Sequence, residues 1–372
     1  MSIASKAAVG RGPTAFEVRT ASRTYPVIVG QGALDTLPAH LDAVGLRGRL
    51  WLIADEAVYA RYGARVEGVL RAAGREVRAR TVPSGEEHKT LAQVAALYDW
   101  LLGERVERRD AILALGGGVV GDMAGFVAAT ILRGIAFVQL PTTLLAQVDA
   151  SIGGKVAVDH PRGKNLIGAF YQPCLVLADT GTLTTLPPRE LAAGWAEVIK
   201  TGVILDADLF ALLEREADAL RAAQPGPTEV AIRRCMQLKG DVVGEDERES
   251  GRRAILNYGH TVGHAIEAAT AYGRYLHGEA VAIGLRAAAY IAVATGRFPA
   301  DAAERQGVLV ERFGLPASAP GVDRGAVRAA MGLDKKAQAG RLAWVLPTRL
   351  GHADVFRDVP DALVEEALDL VL

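Results

Sequence analysis

Hydrophobic residues in the first half of the chain form short β-rich runs, with helical stretches between some of them. The predicted strands cover residues 16–20, 25–30, 50–54, 76–82, 111–115, 137–140 and 175–178. Helical spacing is found over residues 56–73 and 90–104. Alternation of this kind predicts an α/β domain, with a parallel sheet covered by helices.

The pattern changes near Thr185, and from about Pro188 onward the spacing of apolar residues is helical. The predicted helices cover residues 190–204, 207–223, 229–243, 261–271, 278–295 and 301–313. We therefore predict an α/β domain over residues 14–185 and an all-α domain over residues 186–372. Residues 1–13 show neither pattern and are expected to be a disordered tail.

Composition excludes several classes of protein. A chain of 372 residues, half of them hydrophobic, suits two domains with sizeable cores. The net charge of −1 gives no basic surface for nucleic acid. Two cysteines fit a reducing compartment, and we find neither a signal peptide nor an apolar run long enough to span a membrane. We expect a cytoplasmic protein that binds neither nucleic acid nor membranes.

A glycine-rich turn follows the predicted strand at residues 111–115. It contains Gly116, Gly117, Gly118 and Gly121, and a helical run comes next. Glycines let a backbone approach a phosphate, and the free N–H groups at a helix start bind it. The usual ribose-binding acid ~20 residues further on is missing, so Asp55 at the end of another strand is the candidate. A plain tight turn remains the alternative.

Three histidines and an upstream carboxylate are candidates for a metal site. His260 and His264 are four residues apart and share one face of a helix, and His277 follows. With Glu197, two imidazoles would make the ligand set of a catalytic zinc ion. The spacing does not decide which helix histidine is a ligand. It also allows two partly buried histidines without a metal.

Several cations point to an anionic substrate. Lys200 is three residues after Glu197 and shares its helix face. Other lysines and arginines could each be an ordinary solvated side chain. They are Lys155, Arg162, Lys164, Lys239, Arg253, Lys335 and Lys336.

Taken together, these segments resemble the 3-dehydroquinate synthases, the sugar-phosphate cyclases of the shikimate pathway of aromatic amino-acid biosynthesis. The matching segments are residues 116–122, 140–149, 151–155, 163–173, 186–191, 196–200, 256–264 and 276–280. They occur in the expected order over roughly residues 50–340, so they support one another.

The resemblance implies an N-terminal NAD-binding domain, a C-terminal helical domain and an active site in the cleft between them. The implied substrate is 3-deoxy-D-arabino-heptulosonate 7-phosphate, and the implied products are 3-dehydroquinate and phosphate. The steps are oxidation by NAD, phosphate elimination, reduction and intramolecular aldol cyclisation, so NAD is regenerated. Zinc or cobalt and a homodimer are also implied.

The resemblance assigns roles residue by residue. Glu197, His260 and His277 match metal ligands. The NAD contacts are Asp55, Glu86, Lys89, Gly117, Gly118, Asp122, Thr142, Thr143, Asp149, Lys155, Lys164, Thr182, Leu183 and Thr185. The substrate contacts are Arg133, Lys155, Asn165, Lys200, Lys239, Arg253, Asn257 and Lys336, the last chosen over Lys335. The catalytic candidates are Asp149, Lys155, Lys200, Asn257 and His264.

Two of these assignments carry further detail. His264 matches a site residue that is not a ligand. Arg133 matches an arginine that reaches the phosphate in the neighbouring subunit, and its alternative is an ordinary surface arginine.

Three other functions compete with this interpretation. A 2-epi-5-epi-valiolone synthase-type cyclase would use sedoheptulose 7-phosphate, whose lack of a carboxylate leaves Lys239, Arg253 and Lys336 unexplained. A metal-dependent polyol dehydrogenase would release NADH and need no phosphate-binding cluster. A non-enzymatic nucleotide-binding regulator would not need the metal ligands or Lys200.

Overall fold

A computed structural model describes residues 13–333 and 342–372. The chain forms two compact units, Met1–Leu186 with Thr228–Glu247 and Pro187–Pro227 with Arg248–Leu372. The predicted division of the domains after Thr185 stays a prediction. Residues 1–12 of the predicted tail, and Lys335 and Lys336, lie outside the described residues. Among the helices of the described ranges, none is both long and apolar enough to cross a membrane.

A seven-stranded sheet forms the centre of the first unit, and its strand order is β1-β2-β9-β6-β5-β3-β4. Strands β1 and β2 pair antiparallel, and the other pairs are parallel. The strands are β1 Thr14–Arg19, β2 Thr24–Gly30, β3 Leu50–Asp55, β4 Val77–Val82, β5 Ala111–Gly116, β6 Ala136–Pro141 and β9 Leu175–Asp179. The structure confirms all the strands predicted from the sequence.

Helices cover both faces of this sheet. In β3, Leu50 and Leu52 belong to one hydrophobic cluster and Trp51 and Ile53 to the other. An uninterrupted apolar run is therefore the signature of this strand, because both of its faces are buried. The helices are α1 Leu37–Ala43, α2 Glu56–Val58, α3 Ala64–Ala72, α4 Leu91–Gly103 and α5 Gly118–Thr130. A π-helical turn, Tyr59–Gly63, joins α2 to α3 within the single helix predicted there.

An antiparallel hairpin that was not predicted follows β6. It consists of β7 Lys155–His160 and β8 Gly163–Phe170, with Lys155 opposite Phe170. Leu166 and Phe170 on β8 are 47% and 45% exposed. The hairpin therefore presents apolar side chains to solvent.

Helix α8, Pro225–Glu245, contributes its residues from Thr228 onward to the first unit. A side chain at Gly240 would place Cβ 2.8 Å from a methyl carbon of Val18, and one at Gly244 would place Cβ 2.5 Å from the carbonyl oxygen of Arg19. The glycines therefore let α8 lie directly against β1.

The second unit is mainly helical, as predicted. Its helices are α6 Pro188–Leu205, α7 Ala207–Arg221, α9 His260–Ala269, α10 His277–Ala294, α11 Ala300–Arg312, α12 Arg324–Leu333 and α13 Asp361–Val371. A two-stranded hairpin adds to the predicted helices. Its strands are β10 Trp344–Arg349 and β11 His352–Phe356.

Glycines bring α6, α9 and α10 into backbone contact. A Cβ atom at Gly278 would lie 1.8 Å from the carbonyl oxygen of Ala193 in α6. A Cβ at Gly284 would lie 1.9 Å from the carbonyl oxygen of Gly259, just before α9. These positions accept no side chain without movement of a helix, and this close packing fixes the first residues of α9 and α10 relative to α6.

Candidate active site

Glu197, His260 and His277 lie together in the second unit. Glu197 is in the middle of α6, and the histidines are the first residues of α9 and α10. Ligand atoms of the three residues lie within 4.8 Å of one another. The Nε2 atoms of both histidines are 3.7 Å from Oε1 of Glu197. That oxygen is buried and accepts no hydrogen bond within the described ranges. Two nitrogens and one carboxylate oxygen so arranged fit a divalent ion such as zinc.

The other nitrogen of each imidazole has an oxygen partner. Nδ1 of His260 lies 3.1 Å from the carbonyl oxygen of Tyr258, and Nδ1 of His277 lies 3.2 Å from Oε2 of Glu267. In both rings this leaves Nε2 facing Glu197. The sequence analysis missed Glu267. Its position seven residues after His260, two turns along one helix face, was the available signal.

Charges around Glu197 favour its ionised form. Burial alone would raise the pKa of its carboxyl, but Lys200 and His277 lower this pKa to about 2. Lys200 is itself buried and is in ion-pair contact with Glu197 Oε2. Burial and the Lys200 charge lower the pKa of His260 well below its usual value. Glu197 is therefore an anion and His260 is neutral, which are the forms that bind metal. Burial lowers the pKa of His277, but Glu197 and Glu267 raise it to about 10, so a metal ion would have to displace the proton on its Nε2.

Other predicted residues of the second unit lie on or next to α9. The ring of His264 is exposed, and its centroid is 5.0 Å from that of His260 and 5.8 Å from that of His277. Arg253 and Asn257 belong to the 3-10 turn Arg252–Asn257 before α9. Arg253 is buried, and Asn257 Nδ2 donates to Glu249 Oε1 at 2.8 Å.

In the first unit, several predicted NAD contacts lie at one edge of the sheet. Strands β3, β5, β6 and β9 are parallel and end at Asp55, Gly116, Pro141 and Asp179. Their carboxyl ends therefore share one edge, where open α/β sheets bind ligands. The residues at this edge include Asp55, Gly117, Gly118, Thr142, Thr143, Thr182, Leu183 and Thr185.

The start of α5 at this edge has the features of an anion site. No side chain caps the helix at Gly117, so the N–H groups of its first turn are available to an anion. The hydroxyl of Thr142 is buried without a hydrogen-bond partner in the part of the chain that the structure describes. A polar ligand at this edge would supply one. Asp55 caps α2 and also accepts from Ser84 Oγ at 2.8 Å.

A charged network joins five predicted residues of the first unit. Lys89 is buried, and its Nζ lies 2.6 Å from Asp122 Oδ2 and 2.6 Å from Asn165 Oδ1. Glu86 Oε1 lies 3.8 Å from Nζ of Lys89 and 3.6 Å from Nζ of Lys164. The network therefore links predicted nucleotide contacts to the predicted substrate contact Asn165.

The remaining predicted residues are placed separately. Lys239 on α8 lies 2.6 Å from Asp149 Oδ1, so these two candidates form an ion pair. Lys155 is exposed at the start of β7. Arg133 is also exposed, and its φ of 69° is unusual for a residue other than glycine. The Thr185 hydroxyl lies 2.6 Å from that of Tyr62.

Comparison with known proteins identifies the family. Residues 79–193 match the family model for the N-terminal part of 3-dehydroquinate synthase, and residues 194–337 match the one for its C-terminal part. The chain belongs to the 3-dehydroquinate synthase family. It is 50% identical over 355 residues to the 3-dehydroquinate synthase of Bordetella pertussis, covering 95% of this chain and 98% of that one. Members of the family are enzymes, and so is this chain.

Solved structures of sugar-phosphate cyclases share the fold. One is 2-deoxy-scyllo-inosose synthase with carbaglucose-6-phosphate, NAD+ and Co2+. Its TM-score is 0.89 at 29% identity, covering 96% of this chain and 100% of that chain. Another is the 2-epi-5-epi-valiolone synthase of Streptomyces hygroscopicus with NAD+ and Zn2+. Its TM-score is 0.86 at 31% identity, covering 92% and 95% of the two chains. These structures confirm the predicted fold class of the chain.

Proposed function

We propose that this enzyme converts 3-deoxy-D-arabino-heptulosonate 7-phosphate to 3-dehydroquinate and phosphate. The observation that carries the proposal is the set of Glu197, His260 and His277 with the buried cation of Lys200 beside it. In a member of this family, Glu197, His260 and His277 would supply the metal ligands, and Lys200 would supply a positive charge for an anionic substrate.

Two cofactors fit the residues present. Glu197, His260 and His277 would hold zinc or cobalt, and the sheet edge around Gly117, Gly118 and Thr142 would hold NAD. When bound, the ion would polarise substrate oxygens, and NAD would supply reversible hydride acceptance. The solved neighbours that contain NAD+ with Co2+ or Zn2+ support this assignment.

The chain's own residues would orient the substrate and move its protons. We assign the substrate phosphate to Lys155, Asn165 and Lys200, and its carboxylate to Lys239, Arg253 and Lys336. His264 is exposed beside the two histidine ligands, so its ring can exchange protons with bound substrate or water. Asp149 and Asn257 complete the proposed catalytic group.

The carboxylate-binding residues separate this function from that of a valiolone-forming cyclase. The family resemblance assigns Lys239, Arg253 and Lys336 to the carboxylate of the substrate. The seven-carbon sugar phosphate of the rival reaction has no carboxylate for them to bind. The much higher identity to a 3-dehydroquinate synthase, 50% against 31%, points the same way.

The decisive experiment supplies the purified enzyme with the heptulosonate phosphate, zinc and a catalytic amount of NAD. We expect equal amounts of phosphate and 3-dehydroquinate, many times the amount of NAD added. Parallel reactions receive sedoheptulose 7-phosphate, or glycerol with excess NAD. Faster turnover of either compound would contradict the proposal.

We further propose a homodimer in which Arg133 reaches the active site of the neighbouring subunit. Leu132 and Arg133 have φ values of 51° and 69°, and such strained backbone is common at functional sites. A Cβ at the next residue, Gly134, would lie 3.2 Å from the Tyr171 hydroxyl. The turn that contains Arg133 therefore lies next to the side-chain hydroxyl of Tyr171, the residue that follows β8. We assign the exposed Phe170 at the end of β8 to the contact with a second copy.

Mixed dimers test this arrangement. Arg133→Ala and Lys155→Ala should each be nearly inactive alone. In a hybrid of the two, the site with a normal Lys155 receives a normal Arg133 from its partner. Differently tagged chains, co-expressed and purified as the hybrid, should thus regain about half of the wild-type activity. A hybrid as inactive as its parents would place Arg133 in its own subunit's site or outside the mechanism.

A further inference from the structure

Glu267 is a buried carboxylate that none of the assigned roles uses. It lies on α9, three residues after His264 and seven after His260, and its side chain is only 5% exposed. Its Oε2 is 3.2 Å from Nδ1 of His277, the ring nitrogen that faces away from Glu197. A buried carboxylate is costly unless it is paired, so its placement against a proposed ligand calls for a role.

Hydrogen bonds fix the main chain at Glu267. The backbone carbonyl oxygen of Glu267 accepts from the Tyr272 amide at 2.8 Å and from the Thr270 hydroxyl at 3.2 Å. The helix ends at Ala269, and Ala271 and Tyr272 then adopt left-handed backbone conformations with φ values of 51° and 57°. The last turn of α9 is thus tied to the chain that leads on to His277.

The contact has a direct consequence for His277. A neutral imidazole carries one N–H and one lone pair, on different nitrogens. An acceptor at Nδ1 keeps the proton there and leaves the lone pair on Nε2, the atom that faces Glu197. His260 reaches the same tautomer through the carbonyl oxygen of Tyr258. The two rings differ in the partner of Nδ1. Among the described residues, this partner is a backbone carbonyl oxygen for His260 and a carboxylate oxygen for His277.

We propose that Glu267 is a positioning residue that fixes the tautomer and orientation of His277 and strengthens its Nε2 as a metal ligand. The proposal rests on the metal site proposed above. Outer partners of this kind typically change metal affinity ~10–100-fold when they are replaced.

Glu267 also belongs to a second group with ligand geometry, formed with His264 and His277. A second ion bound there through Nδ1 would require His277 to lose its only N–H while Nε2 holds the first ion. Because that form of imidazole is strongly basic, the hydrogen-bonded arrangement is favoured. The number of ions bound per chain distinguishes the two possibilities.

The test measures zinc binding in the absence of substrate and NAD, by competition with a chromophoric chelator. Glu267→Gln keeps the shape and one acceptor oxygen but removes the charge. Glu267→Leu removes the acceptor as well. We expect the zinc dissociation constant to rise ~10-fold in the first variant and ~100-fold in the second. The loss of affinity in the glutamine variant measures the effect of the charge. The additional loss in the leucine variant measures the effect of the hydrogen-bond acceptor, which controls the tautomer.

The matched control is Asp206→Asn, in the same unit. Asp206 is also a buried carboxylate, and it caps α7 by accepting from the Asp208 and Leu209 amides. Asparagine keeps that cap, so zinc affinity should not change. The visible spectrum of the Co2+-loaded protein gives a second measure. It should shift in Glu267→Gln and stay the same in Asp206→Asn.

Three results would overturn the proposal. Zinc affinity and cobalt spectrum could be unchanged in both Glu267→Gln and Glu267→Leu while the wild type binds one ion, which would remove the role of Glu267 and leave the proposed function intact. The wild type could bind a second ion that Glu267→Gln loses, which would make Glu267 a ligand. A wild type that binds no ion would overturn the metal site together with this inference.

Discussion

Replacing Gly278 by alanine tests whether the spacing of two helices sets the metal site. Real Cβ atoms essentially never approach another heavy atom within 3.0 Å, and the new Cβ would start 1.8 Å from the Ala193 carbonyl oxygen. The two backbones must therefore separate by roughly 1.2 Å, the difference between these two distances. The new Cβ would also lie close to the carbonyl carbon and Cα of Ala193. No side-chain rotation can relieve these contacts, because all the obstructing atoms belong to the main chain. The displaced residue adjoins His277, and Ala193 is one turn before Glu197.

The expected losses follow from that displacement. A misplacement of ~1 Å can reduce catalysis ~100-fold, and overpacking typically destabilises a protein by ~1–3 kcal/mol. We therefore expect kcat/KM to fall about 100-fold. We also expect weaker zinc binding and a lower midpoint of thermal unfolding. Chelator competition measures zinc binding, phosphate release measures turnover, and unfolding in excess chelator isolates the packing effect from the metal.

Gly307→Ala in α11 is the matched control. An added Cβ there meets no atom within 4 Å, so the same substitution should be neutral or stabilise the helix by ~0.5–1 kcal/mol. If Gly278→Ala kept wild-type zinc affinity and turnover, α6 and α10 would not set the ligand geometry, and the reasoning from close packing would fail.

Three further predictions concern the cofactors and the substrate. Glu197→Gln keeps the shape of the side chain but removes its charge, so metal content and activity should fall together; a fully active, metal-free variant would refute the ligand assignment. Steady turnover should require NAD yet leave the NADH absorbance flat, because the hydride returns to the same molecule, whereas NADH formed in step with product would indicate a simple dehydrogenase. Arg253→Ala should raise the KM for the heptulosonate phosphate strongly, since loss of one partner from a buried charge pair costs ~2–5 kcal/mol. An unchanged KM would remove Arg253 from the carboxylate site.

The predictable part of the fold is the part with strong periodicity. Buried parallel strands such as β3 are unbroken apolar runs, and long helices such as α6 and α10 repeat apolar residues at helical spacing. Strand β8 has neither signal. Its sequence contains two glycines and two polar residues, and all of its residues are exposed or half-buried. Pairing with β7 determines this strand, and single-sequence periodicity does not report such pairing.

The candidate site could likewise be predicted only as far as local spacing reports it, because its tertiary contacts leave no periodic pattern in the sequence. The spacing of His260 and His264 predicts a shared helix face, but it does not distinguish a ligand from its neighbour. The approach of His277 to Glu197 depends on the close packing at Gly278, which is a tertiary contact. The spacing of Glu267 from His260 was a usable signal that it shares the helix face. Its contact with His277 is tertiary, because His277 lies beyond the turn that ends α9. Family resemblance supplied roles that periodicity could not.

The first unit is built from two separate segments of the chain, and this affects its folding during synthesis. Its last helix, α8, emerges from the ribosome only after Pro187–Pro227 of the second unit has been synthesised. Domains generally fold as units during synthesis, and N-terminal ones fold first. Here the first unit is complete only after the chain has been synthesised as far as Glu247. Until α8 has been made, the face of β1 at Val18 and Arg19 stays uncovered. A gene fragment that stops at Leu186 would therefore encode an incomplete first unit.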